Sequence, residues 1–344
     1  MKRKLTFLLV LVLIVGLVAG CQQTTPPPED DEAGELDPLH LVIAHNQTST
    51  DNPYHHGMLK FKEVVEELSE GNITVEVHNG SIGTNESELI EKLSLGAADM
   101  VVASPGFMTG IGVEEVDLLA LLYLFDDFEH WENAMDGEFG ETMAGIINEK
   151  TENEFKIMGY WSAGVRNYYG KKPIVVPEDV AGLSIRTQNS VVQQQFWKDV
   201  GAIPSSVDWN ELYQALQQGV VDSAENDYTN FSQQDHHKTV NGKYISETEH
   251  DYTTRLLLMN GNRFDNLPEE QQEWILAAVE EATKVERQIT YGMLDESKNK
   301  VIEEGGEVNE VDKEAFKAIG IPIQDEFAEE NDLVDLLEMI RATK

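Results

Sequence analysis

Residues 88–99 read ELIEKLSLGAAD and residues 211–222 read ELYQALQQGVVD, and both fit E-L-x-x-x-L-x-x-G-x-x-D. In each copy the apolar residues fall on one helical face: Leu89 and Leu93 in the first, Leu212, Ala215 and Leu216 in the second. Gly96 and Gly219 stand where a helix C-terminus takes a left-handed residue. AADMVVAS and VVDSA then turn to short apolar runs, the pattern of buried strands. The phrase therefore predicts helix, stop and strand, written twice.

The flanks repeat as well. The first half runs HLVIAHN as strand, PYHHGMLKFKEVVEELSEG as amphipathic helix, NITVEVHNG as alternating strand, NESELIEKLSLG as helix and AADMVVAS as strand. Glu88, three residues after Asn85, marks a capped helix start. The second half runs GLSIRTQ (strand), SVVQQQFWKDVG (helix, with Ser190 as a candidate cap), AIPSSVD (strand), WNELYQALQQG (helix) and VVDSAEN (strand). Alternation of this kind predicts an α/β protein with mostly parallel sheets covered by helices. Two such units facing one another make a bilobed clamshell, with ligand expected in the cleft at the carboxyl ends of the strands. Residues 267–306 form one long helical pattern, opened by Pro268 and ended by Gly305-Gly306, long enough to brace both lobes. DLVDLLEMIRATK predicts a final amphipathic helix.

The start of the chain reads differently. MKRK is a positive n-region, LTFLLVLVLIVGLV a short apolar h-region, and VAGC a lipobox-like end. Residues 1–20 are thus expected to be a lipoprotein signal peptide, and Cys21, the single cysteine, a lipidation site that can form no internal disulfide. Residues 21–38 are Pro-rich and acidic, the composition of a disordered tether. The chain is expected outside the cytoplasmic membrane, anchored through Cys21. Its formal charge is −38, from 63 acids against 25 bases, and loss of Lys2, Arg3 and Lys4 with the leader would take it to −41. That excludes a basic nucleic-acid-binding surface and suits solubility in salt.

No phosphate loop, dinucleotide fingerprint, His-Glu-x-x-His or paired Cys-x-x-Cys occurs. GYWSAG (159–164) has one residue too many for a nucleophile elbow, so Ser162 reads as a loop serine. The adjacent pairs His55-His56 and His236-His237 cannot each clamp one metal from neighbouring helical positions, and surface or capping roles are expected. Nothing points to catalysis, a metal or a cofactor; a lipoprotein hydrolase would need a nucleophile–base pair that is not in view.

Arginines are scarce: beyond the leader there are Arg166, Arg186, Arg255, Arg263, Arg287 and Arg341. Arg287 and Arg341 fall on polar helix faces. Arg186 interrupts the apolar strand GLSIRTQ, where a buried unpaired charge is costly. It either faces solvent or an acid, or clamps an anionic ligand with its two parallel donors. Arg166 lies in an aromatic-rich strand edge.

KKPIVVPEDVAGLSIRT (171–187) and GAIPSSVDWNELYQALQQGVVDSAEN (201–226) resemble the DctP-type solute-binding proteins of TRAP transporters. The resemblance extends, in order, over nearly all of residues 39–305. It implies a bilobed binding protein, two α/β domains with mixed sheets, joined by hinge segments and a long helix crossing both lobes. Domain I is expected at 39–163 plus 252–291 and domain II at 164–251 plus 292–344. The implied function is capture of a small carboxylate solute for a membrane permease driven by an ion gradient, with a monomer as the family default. Carried over, Arg186 grips the ligand carboxylate, Arg166 faces it, and Asn226 binds near the same group. Trp209 stands in the cleft wall and Asn46 follows the first strand. Ser104 falls where sialic-acid binders carry Glu, which argues against sialic acid. Tyr123, Asn230 and His250 complete the expected ligand-facing set. The motifs look most like members taking sugar acids such as hexuronates, with C4-dicarboxylates as the alternative, and a ligand-presenting sensor lipoprotein would share the same sequence features.

Overall fold

The computed structural model describes residues 36–83 and 85–344. The signal peptide, Cys21 and nearly all of the expected tether lie outside the described residues. The first α/β unit comprises β1 (Leu39–His45), α1 (Pro53–Leu68), β2 (Ile73–Asn79), α2 (Glu86–Ser94) and β3 (Met100–Ala103). After α3 (Gly106–Thr109), α4 (Phe128–Met135) and α5 (Glu138–Lys150) comes β4 (Phe155–Gly170). The second unit is β5 (Ser184–Thr187), α6 (Val191–Asp199), β6 (Ile203–Ser206), α7 (Leu212–Gln218) and β7 (Ser223–Asn226), followed by α8 (Tyr228–Gln233) and β8 (Tyr244–Asn260). The chain ends with α9 (Gly261–Asp265), α10 (Glu269–Glu303), β9 (Glu307–Glu310), α11 (Lys313–Glu330) and α12 (Val334–Arg341).

The repeated phrase forms as expected in both copies. Asn85 caps α2 by accepting from the Glu88 amide at 2.9 Å, and Ser190 caps α6 through the Gln193 amide at 3.4 Å. Gly96 and Gly219 take φ of 70° and 73°, the left-handed helix stop that only glycine adopts freely. WNELYQALQQG departs in detail: Trp209–Glu211 is a 3₁₀ turn, and the α-helix begins at Leu212.

Hydrogen bonding joins all the strands into one sheet, in the order β2-β1-β3-β8-β4-β7-β5-β6 with β9 on β8. Within each half the short strands run parallel, and β3 and β7 meet the long strands antiparallel. The halves are linked by the strands themselves. β4 and β8 are 16 and 17 residues long, and each passes from one half to the other. Their pairing shifts register between Ser162 and Val165 and again between Arg166 and Tyr168. Such bulges bend a strand and break its ladder locally, and here they lie where the two halves join. The expected hinge segments are therefore bulged strands. Ser162, read from sequence as a loop serine, is a buried strand residue within this stretch.

The core divides accordingly. Leu41, Met58, Phe61, Trp161 and Ile275 belong to one apolar cluster of the first half; Ile185, Phe196, Trp197 and Phe316 belong to another in the second. Helix α10 serves both halves. Ile275, Ala278, Val279 and Ala282 pack on the β1–β3 side, and 19 residues beyond Ala282, Val301 joins the cluster around α7 and α8. At 35 residues it is about 50 Å long. Arg287 on this helix is not on a polar face. It is buried, forks onto both Asp136 oxygens at 2.6 and 2.8 Å, and stacks over Trp131 at 4.7 Å. Arg341 pairs with Asp325 at the surface of α11. Nor do His236 and His237 lie at the surface. Burial lowers the His236 pKa to about 3, so it is neutral, accepting or donating at 2.9 Å with the Tyr169 hydroxyl. His237 bonds Glu304 at 2.6 Å and ties the turn after α8 to the end of α10. Among the described residues no helix is long and apolar enough to cross a membrane.

Glu286 anchors α10 to the hinge region. Its carboxyl receives the Ser162 amide at 3.1 Å and lies 3.0 Å from the Thr290 hydroxyl, which also reaches the Ser162 carbonyl at 3.3 Å. One Thr290 proton can serve the carbonyl while the hydroxyl oxygen accepts from a protonated Glu286. Burial raises the Glu286 pKa to about 8, consistent with that arrangement. The raised pKa means the folded state holds a proton that the unfolded chain releases near pH 4.5. The stability this confers is fully present below that value and is lost as pH rises towards about 8. Glu286→Gln, which supplies the donor at every pH, is expected to leave stability little changed at pH 5 and to raise it by about 2–4 kcal/mol at pH 8.5. Denaturant unfolding at the two pH values checks this; parallel losses at both would contradict it.

Candidate ligand-binding cleft

A cavity of about 240 Å³ opens where β4 and β8 cross, bounded by the loops after β1 and β3 on one side and the strand ends of β5, β6 and β7 on the other. It is smaller than drug-sized pockets and of a size for one small organic molecule. Of the residues expected from sequence, Arg186, Arg166, Asn226, Trp209, Asn46, Ser104 and Asn230 line it.

Arg166 is held rigidly. Its Nε and Nη2 fork onto the Glu225 carboxylate, with Nη2 at 2.8 Å from Oε1, and Nη2 also reaches the Glu225 carbonyl at 2.6 Å. Both side chains are 1 % exposed. Burial opposes both charges, but each ion more than offsets it for the other. The Glu225 pKa drops to about 2 with help from His250, whose Nε2 lies 3.3 Å away, and Arg166 stays protonated. Arg166 Nη1 donates to Asn226 Oδ1 at 3.0 Å, as does the Asp227 amide at 2.9 Å. Both donors occupy the Asn226 oxygen and leave its NH₂ as the group to offer.

Arg186 is 5 % exposed and differs in one respect. Its Nε donates to the Val207 carbonyl at 2.9 Å, yet among the described residues it forms no ion pair. Desolvation lowers its pKa, and the more distant Glu225 only partly offsets that. Arg255, the other arginine in the wall, donates to the Thr254 carbonyl and to Gln188 Oε1, both at 3.1 Å, and likewise has no carboxylate partner among the described residues. By contrast Arg166, Arg263, Arg287 and Arg341 all have one. Two guanidiniums in a chain with 63 acids are thus left facing the cavity without a counter-ion.

Trp209 lies against Arg186, with the guanidinium carbon 5.9 Å from its ring, and donates to Gln47 Oε1 at 3.3 Å across the cavity. Asn52 Nδ2 reaches Asn230 Oδ1 and Gln233 Oε1, each at 3.2 Å. The loop after β1 and the start of α1 thereby bond to elements of the second half beside the cavity. A Cβ on Gly106 would lie 2.9 Å from the Asn189 carbonyl, so the loop after β3 approaches that of β5 closely enough to need glycine.

Tyr123 and His250 do not reach the cavity. Tyr123 packs on Phe196 and bonds the Thr248 and His250 carbonyls at 3.3 and 2.7 Å. With Tyr123 and Glu249 both at positive φ, it pins the bend of β8 that presents His250 to Glu225. Both therefore act behind the wall. Sequence reasoning passed over Gln47, Glu86, Phe107, Gln188, Asn189 and Arg255, which are in the wall. Only Arg255 carried a readable signal: it interrupts the apolar run TTRLLLM just as Arg186 interrupts its strand.

The family model for bacterial extracellular solute-binding protein, family 7 (DctP), matches residues 43–331. The chain belongs to this family. A solute-binding protein of Chromohalobacter salexigens is 31% identical over 273 residues, covering 79% of this chain and 80% of that protein. A TRAP periplasmic solute-binding protein of Sulfitobacter, solved with bound β-D-galacturonate, is 30% identical with a TM-score of 0.82, covering 88% of this chain and 99% of that one. A third, from Sulfurospirillum deleyianum with bound succinate, is 29% identical with a TM-score of 0.79, covering 89% and 99%. The bilobed clamshell is thus the fold, and the family is one of extracytoplasmic receptors that work with TRAP permeases. This chain is a TRAP-type solute-binding protein.

Removing the counter-ion beneath the cavity tests its construction. Glu225→Ala leaves the Arg166 cation buried and unpaired, and is expected to destabilise the fold by about 3–5 kcal/mol. Chemical denaturation near neutral pH checks it, and a loss below about 1 kcal/mol would show that the pair does not organise the site.

Proposed function

We propose that this chain captures a sugar acid of the hexuronate class and delivers it to its membrane permease. The observation that carries the reading is the pair of arginines, Arg186 and Arg255, that face the cavity without a carboxylate partner among the described residues. A ligand carboxylate supplies the missing counter-ion. Arg186 offers it two parallel N–H donors, Arg166 Nη1 a third and the Asn226 amide a fourth. Trp209 provides a flat apolar face for a sugar ring, while Asn46 and Asn230 meet hydroxyls. Tyr123 and His250 serve as positioning residues through Glu225, and Ser104 acts through Glu86. The galacturonate bound by the Sulfitobacter protein supports the sugar-acid class. A C4-dicarboxylate is the second reading, supported by the succinate bound in the Sulfurospirillum protein.

Closure follows from differential affinity. The ligand meets Arg186 and Trp209 of the second half together with Asn46 and Gln47 of the first only when the halves approach, so ligand favours the closed state. The moving bodies are residues 39–163 with 252–291 and 164–251 with 292–312, turning about the bulges in β4 and β8; α12, expected with the second body, packs instead on α4 and α5 of the first. The receptor acts as a monomer on a lipid anchor at Cys21, with the permease rather than a sensor kinase as its acceptor.

Calorimetric titration with galacturonate tests the site. Arg186→Ala is expected to weaken binding by about a hundredfold or more, and Arg186→Lys to recover only part, because an ammonium cannot make the forked pair. Wild-type affinity in Arg186→Ala would overturn the assignment. Cys21→Ser is expected to move the protein from the membrane to the soluble fraction on cell fractionation, and retention at the membrane would refute the anchor.

A further inference from the structure

The cavity wall carries more than cations. Glu86, the first residue of α2, lines it on the side of the first half, opposite the β5 strand that bears Arg186. Glu86 is half-buried, and the Ser104 hydroxyl donates to its Oε2. Ser104 has one proton to give, so that bond orients the carboxylate and leaves Oε1 as an acceptor. Among the described residues Glu86 forms no ion pair, and Arg186 and Arg255 reach it with none of their hydrogen bonds.

The charges then add up to a statement about the ligand. Arg166 is cancelled by Glu225. Arg186 and Arg255 remain; Glu86 and, exposed at the mouth, Asp208 are the carboxylates of the lining, while the buried Asp227 and Asp251 lie behind it. The cations without an ion-pair partner among the described residues and the Glu86 carboxylate are thus separate features of the wall. A ligand with one carboxylate and several hydroxyls meets both needs: its carboxylate goes to the guanidiniums and its hydroxyls donate to Glu86. A dicarboxylate brings its second anion against Glu86, which can accept hydrogen bonds but not give them. Two carboxylates close together in a water-poor site repel strongly.

Building on the sugar-acid reading, we infer that Glu86, oriented by Ser104, is the residue that selects the ligand's charge, admitting polyhydroxy monocarboxylates and rejecting dicarboxylates. Selection of this kind works by penalising the wrong ligand as much as by favouring the right one.

The test is calorimetric titration of the purified protein with three probes: galacturonate, succinate and succinamate, the last being succinate with one carboxylate replaced by a neutral amide. The wild-type protein is expected to bind succinamate at least about tenfold more tightly than succinate, because only the latter presents a second anion to Glu86. Glu86→Gln is expected to erase that ratio, to strengthen succinate about tenfold and to weaken galacturonate about tenfold, since an amide accepts hydroxyls less well than a carboxylate. Ser104→Ala should weaken galacturonate by a smaller factor while succinate stays excluded. Succinate binding the wild-type protein as well as succinamate does would overturn the inference even if Glu86→Gln failed to fold. An unchanged ratio in a folded Glu86→Gln protein would overturn it too. Succinamate outranking succinate with no galacturonate binding would support the charge filter and remove the hexuronate reading instead.

Discussion

A buried guanidinium without a counter-ion is an expensive thing to keep, and this chain has 63 acids from which it could have drawn one. Arg186 is 5 % exposed and among the described residues bonds the Val207 carbonyl and lies against Trp209 without an ion pair. Its neighbour Arg166 shows the alternative, locked on Glu225 with a fork and a backbone bond. The two arginines divide the work. The satisfied one gives the cavity a rigid floor, and the unsatisfied one leaves electrostatic free energy to be gained when an anion arrives. The groups around them fit that difference: His250 steadies Glu225, Tyr123 steadies the bend that carries His250, and Asn226 has its oxygen held by two donors.

The frame that carries this site is a single sheet bent in the middle. β4 and β8 run through both halves, and bulges beside Arg166 interrupt their pairing where the halves join. Helix α10 lies across the same place, with apolar contacts at both ends and Glu286 bonded to the Ser162 amide between them. Site and hinge thus share residues. Arg166, in the cavity wall, stands at one of the points where the strands bend.

Much of this was legible in the sequence, because local rules and tertiary demands agree there. The two helix–Gly–strand phrases, the Asn85 and Ser190 caps and the long helix from Pro268 to Gly305 all formed as their patterns predict. Seven of the nine expected ligand-facing residues line the cavity. The misreadings share a cause: side chains whose partners are distant in sequence. Arg287 looked solvated on a polar face until Asp136 and Trp131 were brought to it. His237 looked superficial until Glu304 arrived from the far end of α10. Ser162 sits in a strand because β8 pairs with it, which no local motif announces. Glu86 was invisible for a different reason: among so many carboxylates, only position distinguishes the one that faces the cavity.

The most direct test of the account compares a hexuronate with its uncharged parent sugar. Galacturonate and galactose differ only in C6, a carboxylate in one and a hydroxymethyl group in the other. If the unpaired arginines are kept open for a ligand carboxylate, calorimetric titration will show saturable binding of galacturonate and none of galactose at the same concentrations. Equal binding of the two sugars would contradict the central claim, because the cavity would then be reading the ring and its hydroxyls while Arg186 and Arg255 stood idle.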